Sequence, residues 1–423
     1  MSPKIVTHRE KKIVLENFIS LTTLQGISYL LPLVVLPYLI RVIGMEKFGL
    51  IAFAQSLVQY FMIITDYGFS LSATRAISLV GEHKKKVSAI FSSVMTVKLM
   101  LALFSFLILL SILHFIPKFK NDWLVYVLSF GAVLGNTLFP VWFFQGKEKM
   151  SYITIINVIA GLTYAVLIFV LVKSPQDYLL VPLLNSSLFL ISGIWGLYIA
   201  FRKFKLEFIL QNYIGIKNEL KTGWNIFISA VSVNAYTTTR IFAVGLLTNN
   251  VLTGYYTIAD RIANVIQTFP MNSFTQAVYP RISKVFVRNK QRATAIMYRI
   301  QDNITLGFVV SLPIAFVIAP WIISLACGVA YKEVVLALRL LLVAVFFVGA
   351  NNFKVQFLLV SGKPDIYARI HIIAAIIGLP LIFLLIERYS YLGAALSTVL
   401  IEGGVFIATS LIINKLAKRI IKN

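Results

Sequence analysis

The sequence predicts an all-α integral membrane protein, with about twelve transmembrane helices arranged in two six-helix lobes. Its composition, its apolar runs and the placement of its basic residues support this prediction. Hydrophobic residues make up 59% of the 423 residues and charged residues 13%, and the mean hydropathy is +0.85. A soluble domain carries about a quarter charged residues. Because this chain has too few polar side chains to cover a water-exposed globule, lipid is the expected solvent.

Apolar runs of the length needed to cross a bilayer, about 20 residues at 1.5 Å each, recur along the whole chain. The predicted spans lie near residues 18–40, 47–70, 88–113, 123–144, 152–172, 178–201, 222–247, 253–280, 302–325, 334–360, 367–387 and 391–414. The first span has no small-residue cleavage site and is expected to remain as an anchor.

Basic residues predict the topology. The net charge of +23 would suggest a nucleic-acid partner in a soluble protein. Here the lysines and arginines form short clusters between apolar runs, without an interleaved aromatic platform, so we expect no nucleic-acid partner. With the N-terminus in the cytoplasm, 28 Lys and Arg lie in cytoplasmic segments and 7 on the opposite side. This distribution obeys the positive-inside rule and predicts that both termini are cytoplasmic.

The chain is predicted to divide into an N-terminal lobe (residues 1–205), a cytoplasmic amphipathic linker (residues 206–221) and a C-terminal lobe (residues 222–423). Short matches relate the two lobes, such as Gly49-Leu-Ile-Ala-Phe-Ala-Gln55 with Gly254-Tyr-Tyr-Thr-Ile-Ala-Asp260. Since each lobe has an even number of spans, the two lobes would share one orientation. A cleft between them would then be a natural transport path.

Ionisable residues inside the predicted spans indicate where a site lies, because each costs about 2.5–3.5 kcal/mol to insert and usually faces a cavity or a partner. Arg240, late in span seven, and Arg261, early in span eight, both fall in the outer half of the membrane. Guanidinium groups bind phosphate through a bidentate fork, so an anionic group such as a pyrophosphate is the expected ligand. The predicted substrate-binding cations are Arg240, Arg261, Arg339 and Lys98. For Arg339 the alternative is that it snorkels to the membrane surface.

Acidic and uncharged polar residues complete the predicted cavity. Asp66, Asp260 and Glu402 are the candidates for ion coupling, although Asp260 beside Arg261 is alternatively a structural ion pair. Uncharged polar side chains recur at helical spacing in spans two and eight, which places them on one helix face. The predicted cavity-lining members are Gln55, Gln59, Asn264 and Gln267. Hydrogen bonding between helices is the alternative interpretation of these residues.

The sequence lacks the motifs of several catalytic classes. It has no Walker-type loop, its four histidines have no metal-ligand spacing, and its outer loops hold no paired carboxylates. We therefore expect no cofactor, no metal and no enzymatic activity. Cys327 is the only cysteine, so no internal disulfide is possible.

Several segments resemble a known family. They are Asn17-Phe-Ile-Ser-Leu21, Leu31-Pro-Leu-Val-Val-Leu-Pro-Tyr-Leu-Ile-Arg-Val-Ile-Gly44, Asp66-Tyr-Gly-Phe69, Pro140-Val-Trp-Phe-Phe-Gln-Gly146 and Tyr279-Pro-Arg-Ile-Ser283. Together they resemble the O-antigen repeat-unit flippases of the polysaccharide transporter family. That family lies in the superfamily of multidrug, oligosaccharidyl-lipid and polysaccharide exporters. The resemblance covers most of the chain and is denser in its first half.

This resemblance implies a fold like that of multidrug and toxin extrusion transporters, with a cationic central cavity. It also implies a substrate, undecaprenyl-pyrophosphate carrying one O-antigen or related repeat unit. The implied activity is movement of that lipid from the cytoplasmic to the periplasmic leaflet of the bacterial inner membrane, by alternating access coupled to H⁺ or Na⁺. A polysaccharide polymerase and a chain-length regulator of lipopolysaccharide biosynthesis are implied partners.

Two other functions remain open at this stage. A multidrug or toxin efflux antiporter would favour acidic residues facing a cationic drug. A membrane-embedded polysaccharide polymerase or ligase usually carries a sizeable periplasmic loop, which this chain lacks by the predicted boundaries.

Overall fold

The computed structural model describes residues 8–209 and 213–422, and in these ranges it is built from helices and contains no strand. The helices of the first half are α1 (His8–Asp66), α2 (Phe69–Val80), α3 (Lys84–Phe115), α4 (Pro117–Lys120), α5 (Trp123–Leu138), α6 (Val141–Gly146), α7 (Met150–Leu171), a 3₁₀ turn (Pro175–Leu179) and α8 (Leu180–Lys203). Those of the second half are α9 (Tyr213–Leu247), α10 (Asn250–Arg288), α11 (Lys290–Cys327), α12 (Lys332–Val360), α13 (Pro364–Tyr389) and α14 (Tyr391–Lys422).

The all-helical membrane fold is confirmed. Helices cover the twelve predicted spans, and nine segments of the described chain are long and apolar enough to cross a membrane. The chain is therefore a multi-pass membrane protein, while the number of twelve spans stays a prediction. Spans seven and eight correspond to α9 and α10, which contain Arg240, Asp260 and Arg261 and are not among those nine segments.

The chain forms two compact units. The first comprises Met1–Tyr38 and Ala54–Val231, and the second comprises Leu39–Phe53 and Ser232–Asn423. The middle of α1 thus belongs to the second unit. The lobe limits read from the sequence stay a prediction.

The predicted linker contributes an extended segment to the first unit. Residues 206–209 are not helical, and residues 210–212 lie outside the described residues. The backbone N–H of Glu207 donates to Ser88 Oγ at 3.1 Å, and that of Ile209 donates to Ser92 Oγ at 2.9 Å. These two bonds fasten the start of the linker to α3.

Glycine and proline set two breaks within the predicted spans. Gly44, inside α1, has φ 77° and ψ 166°, a conformation that glycine adopts without steric cost. It separates the stretches predicted as spans one and two. Phe139 has φ −78° and ψ 108°, because Pro140 disfavours the helical conformation of the residue before it. The fourth predicted span is therefore divided into α5 and α6.

The first unit has an aromatic core built around α6. Trp142, Phe143 and Phe144 are fully buried, and the ring of Phe91 in α3 lies 5.5 Å from Trp142 and 5.6 Å from Phe143 between centroids. A Cβ added to Gly146 would lie 2.7 Å from Ile77 Cβ, so α2 approaches α6 closely there. The segment Pro140-Val-Trp-Phe-Phe-Gln-Gly146, which resembles the flippases, therefore contributes to the packed core.

In the second unit, α12 packs against α10, α11 and α14, and α13 packs against α14. The middle of α1 crosses the start of α10 through two glycines. A Cβ on Gly49 would lie 1.7 Å from the Asn250 carbonyl oxygen, and one on Gly254 would lie 2.9 Å from that of Met45. These glycines begin the two segments matched in the sequence. Duplication of the lobes stays a prediction, but the matched positions meet at one helix crossing.

Candidate functional site

The most unusual buried group of the second unit is the guanidinium of Arg240. Its side chain is only 9% exposed, about two turns before α9 ends at Leu247. Nη1 donates to Thr398 Oγ1 of α14 at 2.6 Å. Nε is buried and makes no hydrogen bond within the described part of the chain. A buried N–H without a partner costs about 1–3 kcal/mol, which a ligand that accepts this hydrogen would recover.

Two carboxylates and a second guanidinium surround Arg240. Asp260 of α10 and Glu402 of α14 lie close enough to interact electrostatically with it, and Arg261 interacts in the same way with Asp260. Glu402 lies one turn after Thr398, on the same face of α14. The guanidinium of Arg261 also lies 5.6 Å from the centre of the Phe48 ring. We call Arg240, Asp260, Arg261, Thr398 and Glu402 the charge cluster. Its two guanidinium groups balance its two carboxylates when all four are ionised.

Tyrosine and histidine extend the charge cluster toward α13. Tyr236, one turn before Arg240, is buried, and its hydroxyl lies 2.8 Å from His371 Nδ1. The rings of Tyr367 and His371 are 4.3 Å apart between centroids. Both tyrosines are within electrostatic range of Glu402. Tyr236 belongs to a polar stripe of span seven that is visible in the sequence, whereas its contact with His371 is not. The spacing of four in both Tyr236–Arg240 and Tyr367–His371 places each pair on one helix face.

The four predicted cations are not all in the charge cluster. Arg240 and Arg261 are, whereas Arg339 Nε donates to the Phe316 carbonyl of α11 at 3.1 Å, and its guanidinium lies 4.8 Å from the Phe316 ring. Lys98 belongs to the first unit, is 2% exposed and donates from Nζ to the Asn136 carbonyl at 3.4 Å. A substrate-binding role for Arg339 and Lys98 stays a prediction.

The predicted acids and polar residues divide in the same way. Asp66, half-buried in the first unit, is within electrostatic range of Lys98. Asn264 donates to both the carboxylate and the carbonyl of Asp260, each at 2.9 Å, so part of the polar stripe in α10 is bonded within its own helix.

The remaining polar residues differ in exposure. Gln267 is half-buried in the second unit, while Gln55 is half-buried and Gln59 exposed in the first. Their cavity-lining role stays a prediction. Across the described ranges, no three His, Cys, Asp or Glu side chains group as metal ligands.

Comparison with known families decides the relationship of the chain. Residues 14–286 match the family model described as polysaccharide biosynthesis protein, and this match covers more than half of the chain. The chain belongs to this family. The resemblance found in the sequence is thereby confirmed at the level of the family.

Individual proteins agree with this membership. The "Putative O-antigen transporter" of Escherichia coli (strain K12) is 30% identical over 389 residues, which cover 91% of this chain and 93% of that protein. A solved inward-facing multidrug resistance MATE family transporter of the MOP superfamily has a TM-score of 0.72 and 13% identity, over 96% of this chain and 99% of its own. The lipid II flippase MurJ, in an inward closed conformation, also has a TM-score of 0.72, with 14% identity over 95% and 87% of the two chains. At such low identity the structures show the fold alone, and they confirm the multidrug-and-toxin-extrusion-like architecture.

Proposed function

We propose that this protein is a flippase for an undecaprenyl-pyrophosphate-linked oligosaccharide, an O-antigen or related repeat unit. It moves the lipid from the cytoplasmic to the periplasmic leaflet of a bacterial inner membrane by alternating access, coupled to an H⁺ or Na⁺ gradient. Both termini lie in the cytoplasm. A polysaccharide polymerase and a chain-length regulator act on the delivered product.

The observation that carries the proposal is the buried guanidinium of Arg240. Its Nη1 is held by Thr398 while its Nε makes no hydrogen bond in the described chain. One edge of the guanidinium is thus fixed and another donor remains available. A pyrophosphate oxygen is a suitable acceptor, because hydrogen bonds between ionised groups are about twice as strong as neutral ones.

The charge cluster is neutral as a whole when its four charged groups are ionised, and it offers a cationic drug no uncompensated carboxylate. An extruder of cations needs a carboxylate that is not already neutralised by the protein. In the charge cluster, Asp260 lies near both Arg240 and Arg261, and Glu402 lies near Arg240. The family membership and the name of the Escherichia coli relative support an anionic, lipid-linked sugar as the ligand.

The test is deletion of the gene, followed by complementation and by localisation of the lipid-linked repeat unit. We expect the deletion to accumulate that lipid on the cytoplasmic leaflet and to remove surface polysaccharide. Arg240→Gln should restore less than about a tenth of the wild-type polysaccharide, because losing a charge-assisted hydrogen bond costs about 1.5–3 kcal/mol and tenfold corresponds to about 1.4 kcal/mol.

The matched control is Arg299→Gln, which removes an exposed arginine of α11 in the same unit. Both variants must insert to the wild-type level, and the control should complement fully. Accumulation on the periplasmic leaflet would point instead to a polymerase or ligase. Unchanged polysaccharide with altered tolerance to cationic drugs would point to an efflux antiporter.

A further inference from the structure

His371 of α13 is held by two tyrosines from two helices. Its Nδ1 lies 2.8 Å from the Tyr236 hydroxyl of α9, and the two rings are nearly parallel, with an interplanar angle of 6°. The Tyr367 ring centroid lies 4.3 Å from that of the imidazole. The orientation of the imidazole and its hydrogen bond are therefore both fixed by neighbours.

The ionisable groups around this histidine belong to the proposed substrate site. From α9 they are Tyr236 and, one turn later, Arg240. Glu402 of α14 is within electrostatic range of Tyr236, Tyr367 and Arg240. From α10, Tyr256 and Asp260 interact electrostatically with Arg240, and Arg261 interacts in the same way with Asp260. His371 is thus the one imidazole in this described group of tyrosines, carboxylates and guanidinium groups.

We propose that His371 is a proton-binding site which sets the affinity of the Arg240 site for the pyrophosphate of the substrate. Imidazole is the side chain whose charge changes between about pH 5 and 8. The inference rests on the proposed function and adds to it a ligand, the proton, and the residue that binds it.

The hydrogen bond to Tyr236 connects the proton to Arg240. When the imidazole is neutral with Nδ1 unprotonated, the Tyr236 hydroxyl donates to Nδ1. A proton taken from water makes both ring nitrogens donors, so the Tyr236 oxygen must then accept from His371. The hydroxyl hydrogen then has to turn away from Nδ1, and Glu402 is the carboxylate that interacts electrostatically with Tyr236.

Two effects of this change favour an anion at Arg240. The imidazolium adds a positive charge to a cluster whose guanidinium and carboxylate charges otherwise balance. A hydroxyl hydrogen turned toward the Glu402 carboxylate also weakens the attraction of that carboxylate for Arg240. Since linkage is reciprocal, a bound pyrophosphate must raise the affinity of His371 for its proton by the same factor.

The experiment measures lipid binding by the purified full-length protein at two pH values. The probe is a short-chain polyprenyl pyrophosphate ester of one sugar, whose diester pyrophosphate keeps its charge across the tested range. Between about pH 8 and pH 5.5, which brackets imidazole titration, the wild-type Kd should fall about tenfold. His371→Gln should have the same Kd at both pH values, close to that of the wild type at pH 8.

Two further variants make the result specific. Tyr236→Phe keeps the ring but removes the hydroxyl, and it should shrink the pH effect while His371 is still present. His114→Gln removes an exposed histidine at the end of α3 in the first unit, and it should behave as wild type. If His371→Gln does not remain monodisperse in detergent, a reduced pH effect in Tyr236→Phe still ties the effect to the Tyr236–His371 hydrogen bond.

The outcomes separate this inference from the proposed function. A pH effect that persists in His371→Gln overturns the proton site. A full-size pH effect in a well-folded Tyr236→Phe overturns the connection through the Tyr236 hydroxyl. Tight wild-type binding with no pH effect overturns the proton site as well, while the flippase proposal stands. Failure of the wild type to bind the lipid at either pH overturns the proposed function and this inference with it.

Discussion

The two units bury different chemistry. The core of the first unit is a cluster of aromatic rings in which Phe91, Trp142, Phe143 and Phe144 pack edge-on or tilted against one another. The second unit buries ionisable groups around Arg240 instead. Aromatic rings hold helices in place at little electrostatic cost, whereas buried charges are costly and are kept where they have a function.

This difference shows that segments which resemble a family can be core residues rather than residues of the functional site. The aromatic segment beginning at Pro140 is part of the resemblance, yet its aromatic side chains fill a core. The residues of the charge cluster lie outside the five segments that resemble the flippases. We therefore expect substitutions in the first core to reduce the amount of folded protein, and substitutions in the charge cluster to reduce transport by each folded molecule.

The largest expected effect on stability is that of Phe91→Ala. This ring is fully buried and contacts Trp142, Phe143 and Phe201. Removing a buried aromatic ring costs about 3–5 kcal/mol, so unfolding in detergent should begin at a much lower temperature. The control is Phe104→Ala on the same helix, where the ring is 57% exposed and little should change. If Phe91→Ala folds normally but transports poorly, the aromatic core is not only structural and the contrast between the two units is wrong.

A smaller effect is expected from Gly49→Ala. The new methyl carbon would have to move from 1.7 Å of the Asn250 carbonyl oxygen, and overpacking of this kind costs about 1–3 kcal/mol. Gly404→Ala in the same unit meets nothing within 4 Å. It should therefore be neutral or slightly stabilising, since alanine is the better helix former. Equal melting temperatures for the two variants would contradict the close helix crossing.

The smallest effect is expected from Lys98→Met, which tests the one cation buried in the core of the first unit among the described residues. Its Nζ donates to the Asn136 carbonyl at 3.4 Å. The methionine loses this bond but also removes the cost of burying a charge. We expect the free energy of unfolding to change by about 1 kcal/mol or less, the net value of one hydrogen bond, and transport to be retained. Complementation assays measure whether transport is retained. Loss of transport in a stable protein would extend the cationic site to the first unit.

The sequence was sufficient to predict the helices, because lipid imposes a simple requirement of length and hydropathy. It also identified Arg240, Asp260, Arg261 and Glu402, since a charge inside an apolar run is visible without any tertiary information. The structure brings these four residues into one cluster. The sequence match between Gly49 and Gly254 likewise marks two positions that meet where α1 crosses α10.

What the sequence did not predict depends on which helix faces meet. The bond between Tyr236 and His371 joins residues 135 positions apart, and neither residue is unusual in its own helix. The sequence groups Arg339 with Arg240 among the predicted cations, but in the structure its side chain contacts Phe316 of α11. The grouping of Leu39–Phe53 with the second unit follows from packing of the middle of α1, which hydropathy alone does not report.

We propose that Arg240 binds the pyrophosphate of the transported lipid. A leaflet-transfer measurement in proteoliposomes tests this most directly. Wild-type protein and Arg240→Gln are reconstituted in equal amounts with a labelled pyrophosphate-linked sugar lipid. We predict that the wild type transfers the label between leaflets, and that the variant does so at least about tenfold more slowly, the loss expected for about 1.4 kcal/mol. Equal rates for the two proteins would contradict the claim.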